Sequence, residues 1–394
     1  MKKSFKYRLY PTMKQTALLQ WTLDRVRELY NASLEERREA YRMSKVTITY
    51  NQQANQLPEM KEIRSEYKDI HSQVLQDTLR RVEKAMRAFF RRVKNGEKAG
   101  YPRFKSFNRF DSFTYPQAGF SLTHDNRVCL SKIGSIRVKL HRPIEGTIKT
   151  CTIKKEGDQW YIVFSCEVEE KEPLPVNNEA VGIDLGVTHF AALSDGIIID
   201  NPRHFRRSQK RLEKLQQKLA RCKKGSHRRA KVKNQFARTH RTIKNQRKDF
   251  LHKQSRKLVN TYGTLVFEDL KTANMTRRPK PKQDEQTGAY LPNGAAAKAG
   301  LNKSILDAGW YQFQQYCLYK AESAGRDVLL VHPKLTSQVC SGCGQIVRKD
   351  LSERWHSCEC GAELDRDYNA AINILRLGSS QRKPLRVHSA VGTA

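Results

Sequence analysis

Residues 3–10 alternate, with Phe5, Tyr7 and Leu9 separated by polar positions, and Pro11 closes the run. A period of two is that of a half-buried strand. From about 13 to 42 the period lengthens: Leu19, Leu23, Val26 and Tyr30 recur at turn spacing, which predicts a helix. A second helix is predicted over about 73–94. Leu75, Leu79, Val82, Met86, Phe89 and Phe90 form its apolar stripe, and Arg80, Arg81, Lys84, Arg87, Arg91 and Arg92 its basic side. After Gly100-Tyr101-Pro102-Arg103-Phe104 the alternation returns at Ile136, Val138 and Leu140. The stretches 147–155 and 160–168 then read as a hairpin around Glu156-Gly157-Asp158-Gln159. Several short strands with turns between them predict a small barrel or sandwich that includes the first strand, so the helices of 13–97 are an insertion. Lys171-Glu172-Pro173-Leu174-Pro175 reads as a linker.

A second pattern begins at 179. Runs at 180–186, 190–194 and 197–200 predict three strands joined by tight turns, Asp195-Gly196 among them. A long helical hairpin follows over 203–257. Leu212, Leu215 and Leu219 stripe one arm, Phe236, Ile243 and Phe250 recur every seven residues on the other, and Lys224-Gly225-Ser226 is the turn. The segment 274–303, rich in Lys, Pro, Gly and Ala, is expected to be a mobile loop. A helix over 305–323 carries Leu306, Trp310, Phe313 and Cys317, and Val328-Leu329-Leu330-Val331 reads as a buried strand. A last helix, about 366–377, places Tyr368, Ala371, Ile372 and Leu375 on one side, and the tail 379–394 is expected to be disordered.

Composition adds a partner to this outline. The 394 residues leave room for two or three domains, and Lys plus Arg number 74 against 40 Asp plus Glu, a formal net charge of +34. Such an excess opposes compaction until a polyanion neutralises it, and nucleic acid is the commonest one. The charge is concentrated: 203–257 holds 22 Lys or Arg and two acids, Glu213 and Asp249. A solvent-bridging hairpin would account for the stripes; phosphate neutralisation accounts for the charge as well. The N-terminus lacks the apolar core of a signal peptide and no stretch approaches a membrane span, so a soluble intracellular protein with no membrane partner is expected.

Against this charge, three acids stand in apolar surroundings. They are Asp184 in Val-Gly-Ile-Asp-Leu-Gly, Glu268 in Leu-Val-Phe-Glu-Asp-Leu and Asp367 in Leu-Asp-Arg-Asp-Tyr-Asn-Ala-Ala. A carboxylate among Val, Ile, Leu and Phe is costly to bury unpaired. Three scattered through the chain make sense if the fold gathers them around divalent cations. Asp367, in the first turn of a helix, has capping as its plain alternative. Taken together, in the order strand, strand, helix, the trio matches a ribonuclease-H-like site. Gly182 and Gly186 let backbone or substrate approach closely around Asp184.

The cysteines carry a second constellation: Cys340-x2-Cys343-Gly344 and, fourteen residues on, Cys358-x-Cys360-Gly361. Two close pairs across a hairpin build a four-thiolate zinc ribbon, with a glycine after each pair to turn the loop under the metal. The second pair is one residue short of the usual spacing, which keeps His356 as an alternative ligand. A closed four-thiolate site is structural and helps fold a module too small to hold a core. Cys129, Cys151, Cys166, Cys222 and Cys317 are read as idle thiols.

Taken in order, Gly-Ile-Asp-Leu-Gly-Val, Phe-Glu-Asp-Leu, Asp-Ala-Gly-Trp, the ribbon and Asp-Arg-Asp-Tyr-Asn-Ala-Ala-Ile-Asn-Ile resemble the TnpB family. These are the OrfB-type proteins of insertion sequences, related to type V CRISPR nucleases. Gly-Tyr-Pro-Arg-Phe-Lys-Ser and Tyr-Arg-Leu-Tyr-Pro extend the likeness to about 1–378. The resemblance implies an α/β multidomain chain. Residues 1–11 and 102–172 would form a wedge β-barrel and 12–101 a helical recognition lobe. Residues 179–336 and 362–378 would form a ribonuclease-H-like (RuvC) nuclease domain, and 337–361 a zinc ribbon that binds target nucleic acid.

It further implies a prokaryotic, cytoplasmic, nucleoid-associated DNA endonuclease. A guide RNA from the transposon's right end would direct it, and double-stranded DNA would be cut beside a short transposon-adjacent motif. Asp184, Glu268 and Asp367 fall on the catalytic positions and would hold two Mg²⁺ ions, with Asp365 and Asn369 supporting them. Cys340, Cys343, Cys358 and Cys360 would hold one Zn²⁺. Motif reading would fall near Tyr50, Gln73, Gln76, Thr114 and Tyr115, since glutamine pairs bidentately with adenine; ordinary surface glutamine is the alternative. Two other readings use the same residues. One is an RNA-guided DNA-binding protein without nuclease activity, against which the intact trio argues. The other is a DNA strand-transfer transposase.

Overall fold

The first strand realises its alternation in full: in β1 (Lys2–Tyr10) Phe5, Tyr7 and Leu9 are each 1% exposed. The computed structural model describes residues 1–107, 109–169, 172–350 and 353–380. Contacts divide the chain into two units, Met1–Glu170 and Lys171–Ala394, with the division at the start of the expected linker.

In the first unit β1 is joined by β2 (Ser112–Tyr115), β3 (Phe120–Leu122), β4 (Arg127–Leu130), β5 (Gly134–Lys139), β6 (Thr147–Glu156) and β7 (Gln159–Glu167). They form one antiparallel sheet in the order β2-β6-β7-β1-β5-β4-β3. The strand that comes first in sequence therefore lies in the middle, paired with β7 and β5. Four helices are inserted behind it: α1 (Met13–Ser44), α2 (Tyr50–Asn55), α3 (Leu57–Ile63) and α4 (Ser72–Lys94). A reciprocal Thr12–Gln15 capping box starts α1, and Lys45 ends it in the left-handed region at φ 56°.

Val74, Leu75, Leu79 and Val82 of α4 share one core with Leu19, Leu23, Val26 and Leu29 of α1 and the inner face of the sheet. Two expectations fail on α4. Phe90 is 56% exposed, because the last turns of the helix run past the core. Arg81 is turned inward, pairing with Asp77 at 2.8 Å and donating to the Ser112 carbonyl and the Thr114 hydroxyl, each at 2.7 Å.

The second unit holds β8 (Ala180–Leu185), β9 (His189–Leu193), β10 (Ile198–Asp200), α5 (His204–Arg221), α6 (His227–Thr261) and β11 (Thr264–Glu268). After these come α7 (Thr272–Met275), β12 (Lys282–Gln283), β13 (Tyr290–Leu291), α8 (Ala295–Ala308), α9 (Trp310–Ala324) and β14 (Asp327–Val331). Last are β15 (Trp355–Ser357), β16 (Glu363–Asp365) and α10 (Arg366–Ser379). The main sheet has the order β10-β9-β8-β11-β14; β8, β9 and β10 are antiparallel neighbours, while β8, β11 and β14 run parallel. An antiparallel meander continued by parallel strands reached through helices is the ribonuclease-H-like arrangement.

Strand side chains alternate between two faces, and the packing on each identifies them. Val181, Ile183, Leu265 and Phe267 pack with Leu251 and Leu258 of α6 and with Phe313 and Cys317 of α9. On the opposite face Val266, Leu329 and Val331 pack with Ile374 of α10.

The expected loop over 274–303 proves to contain the end of α7, the β12–β13 hairpin and the start of α8. The Ala295-Ala296-Ala297 run, of the highest helix propensity, starts α8 directly after Gly294. The single helix expected over 305–323 is broken at Gly309, whose φ of 73° closes α8 and opens α9. In consequence Leu306 is 60% exposed, and Ile305 and Ala308 take the buried positions. The expected tail is still helical at Ser379; residues 381–394 lie outside the described residues.

Candidate active site

Glu268 ends β11, and Asp184 is the last residue but one of the adjacent parallel strand β8. The β8–β11 register aligns Thr264 with Ala180 and Phe267 with Ile183, so the next residues along, Asp184 and Glu268, stand side by side at the carboxyl edge of the sheet. Both lie on the face covered by α10, Asp184 two residues beyond Gly182 and Glu268 two beyond Val266. Gly182 is where α10 touches the sheet: a Cβ there would lie 2.0 Å from the Ala371 carbonyl oxygen and 2.6 Å from the Leu375 nitrogen. With Leu375 lower on the strand, α10 runs upward toward its own N-terminus, and Asp367 in its first turn arrives above Asp184.

The capping alternative for Asp367 falls to Asp365, which is the N-cap and accepts from the backbone N–H of Asp367 (2.8 Å) and Tyr368 (3.2 Å). Asp367 is left free to face the strands.

The three carboxylates repel one another. Burial first, then the charges of Glu268 and Asp367, push the Asp184 carboxyl well above the usual range, and Arg366 offsets only part of this. Among the described residues nothing donates a hydrogen bond to Asp184. Burial also raises Glu268, with the Thr336 hydroxyl, which donates to its Oε1 at 2.5 Å, working the other way. Asp367 is raised by burial and by Asp365, against Arg354 and Arg366. Three carboxylates at one edge of the sheet, one of them without a donor, supply the oxygen ligands that hard divalent cations take.

Sequence reasoning missed Thr336 and Arg354. Arg354 Nη1 lies 3.5 Å from Asp367 Oδ1, and its Nη2 donates to the Thr188 hydroxyl at 2.8 Å. Neither has a local signal; both become visible only when distant segments meet.

The four cysteine sulfurs lie within 4.8 Å of one another, with Cys340–Cys360 and Cys343–Cys358 each at 3.6 Å. Tetrahedral zinc with Zn–S bonds of 2.3 Å sets neighbouring sulfurs about 3.8 Å apart, so the cluster fits the ion. Gly344 and Gly361 take positive φ (83° and 85°) and donate back to the Cys340 and Cys358 carbonyls at 2.9 Å, turning each loop. Burial opposes the Cys340 thiolate, but the backbone N–H groups of Cys343 and Gly342 and the His356 ring outweigh it, lowering the thiol to about 5. His356 is fully buried beside the cluster, outside its ligand set.

The ribbon's β15–β16 hairpin continues to Asp365, four residues past the expected limit of 361. Asn369 is fully buried and faces the ribbon, not the carboxylates: it accepts from Ser341 N at 2.9 Å and donates to the Val339 carbonyl at 2.8 Å. Asn373 donates to the Thr336 and Val339 carbonyls at 2.9 and 2.6 Å. The strap 336–341 is thus fastened to α10 at one side and to Glu268 at the other.

The five positions expected to read a DNA motif are unequal. Tyr115 is 1% exposed and donates to the Ser131 carbonyl at 3.0 Å, so it is a core residue with no edge to offer a base. Thr114 is held by Arg81 and by Thr152 at 2.8 Å, and Gln73 accepts from Ala118 N at 2.9 Å. Tyr50 accepts from Arg80 at 3.2 Å. Gln76 alone of the five has no partner among the described residues.

Comparison with known proteins places the chain in a family. A family described as "Probable transposase" matches residues 163–278, and one described as "Cas12f1-like, TNB domain" matches 310–374. A "Helix-turn-helix domain" family matches 1–45, here β1 and α1. The chain is 35% identical to "Putative RNA-guided DNA endonuclease InsQ" of Escherichia coli (strain K12) over 95% of its length and 92% of that protein's. It is 33% identical to a Streptomyces pristinaespiralis protein of the same general name, over 96% and 90%. The solved Cas12f1–sgRNA–target DNA complex aligns with 95% of this chain and 99% of that one, at 17% identity and a TM-score of 0.35. By its likeness to these full-length relatives, the chain belongs to the OrfB/IS605, or TnpB, family of RNA-guided DNA endonucleases.

Proposed function

We propose that this chain cuts double-stranded DNA at one RuvC-type site, directed by an RNA from the right end of its transposon, beside a short transposon-adjacent motif. The observation that carries the reading is the convergence of Asp184, Glu268 and Asp367, each raised by burial, with Asp184 raised further by the charges of the other two. Only added positive charge makes such a cluster comfortable as three anions.

Asp184, between the other two, would hold both of two Mg²⁺ ions, and Glu268 and Asp367 one each. When bound, such ions stabilise the attacking and leaving oxygens of a phosphodiester. The chain's own groups do the rest. Thr336 fixes one oxygen of Glu268, Asp365 sets the first turn that presents Asp367, and Arg354 steadies Asp367. The four thiolates hold a structural zinc. The α5–α6 hairpin supplies backbone neutralisation for nucleic acid. In the first unit, read as wedge and recognition lobe, motif reading would fall to Gln76, which has no partner among the described residues, and near it to Tyr50, Gln73 and Thr114.

The test is to express the chain with its native flanking DNA, purify it and sequence the RNA that accompanies it. One abundant RNA whose 3′ segment reads past the element names the target, and Asp184→Ala should then bind that target without cutting it. Heterogeneous cellular RNA, with end joining in a strand-transfer assay, would replace this reading with a transposase.

A further inference from the structure

Between the loop after β8 and the first turn of α5 lies a cavity of about 340 Å³. Its lining includes Thr188, Arg203, Arg206, Lys303, Ser304 and Asp307. Three of these are cations, and the single acid among them is already engaged. Both Asp307 carboxylate oxygens accept from Phe205 N, at 2.9 and 3.1 Å, and one also takes Arg247 at 2.8 Å. The amide at the start of α5 is thereby satisfied, so the open valence of the cavity is its positive side chains. Arg203 spends its guanidinium on the Thr188 carbonyl at 3.3 Å. Arg206 and Lys303 have no acidic partner among the described residues.

The rim is built rather than incidental. Arg203 holds left-handed backbone (φ 48°, ψ 49°), a conformation that costs a non-glycine residue free energy and persists only where neighbours enforce it. Asn201 enforces it, accepting from Arg203 N at 3.1 Å and donating to the Val187 carbonyl at 2.9 Å. The cavity also adjoins the carboxylates: the Arg354 guanidinium that touches Asp367 reaches the hydroxyl of Thr188, on the cavity wall.

We propose that this cavity is a phosphate subsite, seating a phosphodiester of the DNA strand being cut next to the scissile one and fixing the strand's register over Asp184. The proposal rests on the reading of the trio as a nuclease site. The volume suits a phosphate with its sugar, the cations supply charge-assisted donors, and Val187 and Phe205 offer apolar contact to the sugar. The cut strand, rather than the guide, is the favoured occupant, because Arg354 joins the cavity wall at Thr188 directly to the carboxylate of Asp367.

The test pairs Arg206→Ala/Lys303→Ala, both exposed side chains, with target DNA carrying single neutral methylphosphonates near the cut. The full chain is used with its copurified RNA. In the unaltered protein, one position beside the cut should raise KM about tenfold when neutralised, with kcat little changed. The double variant should show the same rise on native DNA and no further rise at that position. Retention of DNA should also lose about one unit of salt slope for each contact removed.

An unchanged KM and salt slope, or losses that simply add, overturn the subsite. Weakened RNA loading with normal cutting at saturating RNA assigns the cavity to the guide and also overturns it. If the unaltered protein cuts nothing with Mg²⁺ or Mn²⁺, the nuclease reading fails, and the salt slope still decides whether the cavity holds DNA.

Discussion

Every acidic neighbour of Asp184 makes its negative charge harder to hold, and the sign of the effect on stability follows. A carboxyl whose pKa is raised in the folded state binds more protons folded than unfolded between the ordinary carboxylate pKa, about 4, and the raised one. Stability without divalent ions therefore falls as pH rises through that window, and below it the cost vanishes. Asp184→Asn should consequently melt higher than the unaltered protein in zinc-replete buffer without magnesium. The gap, about 1 kcal/mol or more, should widen as pH rises above about 4 and shrink when Mg²⁺ is added. A gap independent of pH in thermal unfolding would contradict the electrostatic account. Thr336 acts at the same scale. Thr336→Val removes the donor to Glu268 and should raise the Mg²⁺ needed for half-maximal cutting roughly tenfold. Thr336→Ser should restore it, and titration of activity against Mg²⁺ distinguishes the two.

Among the elements, α10 has two partners: its first turn presents Asp367, and Asn369 and Asn373 fasten the strap that leads into the zinc cluster. Cys340→Ser with Cys343→Ser should release zinc and depress cutting together, because the strap carrying Thr336 loses its anchor; metal analysis beside a cleavage assay checks both. The strands and most helices were legible in the sequence because burial is periodic: Phe5, Tyr7 and Leu9 needed only alternation, and Leu75, Leu79 and Val82 only turn spacing. Asp184 and Glu268 were legible because charge inside an apolar strand is conspicuous. Phe90 and Leu306 were misread because an apolar residue in helical phase is buried only if a neighbour reaches it. Arg354 and Thr336 left no trace because their roles lie in contacts between segments far apart in sequence. The resemblance implied that Asn369 supports the carboxylates, whereas helix geometry turns it toward the ribbon.

For the whole molecule, the core of the first unit is closed within residues 1–170. A chain ending there should unfold cooperatively by itself, as a single transition in circular dichroism. The second unit holds both metal constellations and carries the basic hairpin. In it, Gly182 leaves α10 no clearance over β8. A relative could keep Asp184, Glu268 and Asp367 intact and still be unable to cut, because one methyl group at this strand position would lift the helix that delivers the third acid. Sorting such lineages into cutters and silent binders by their acids alone would then place some on the wrong side; the residue two places before the first aspartate belongs in that inventory.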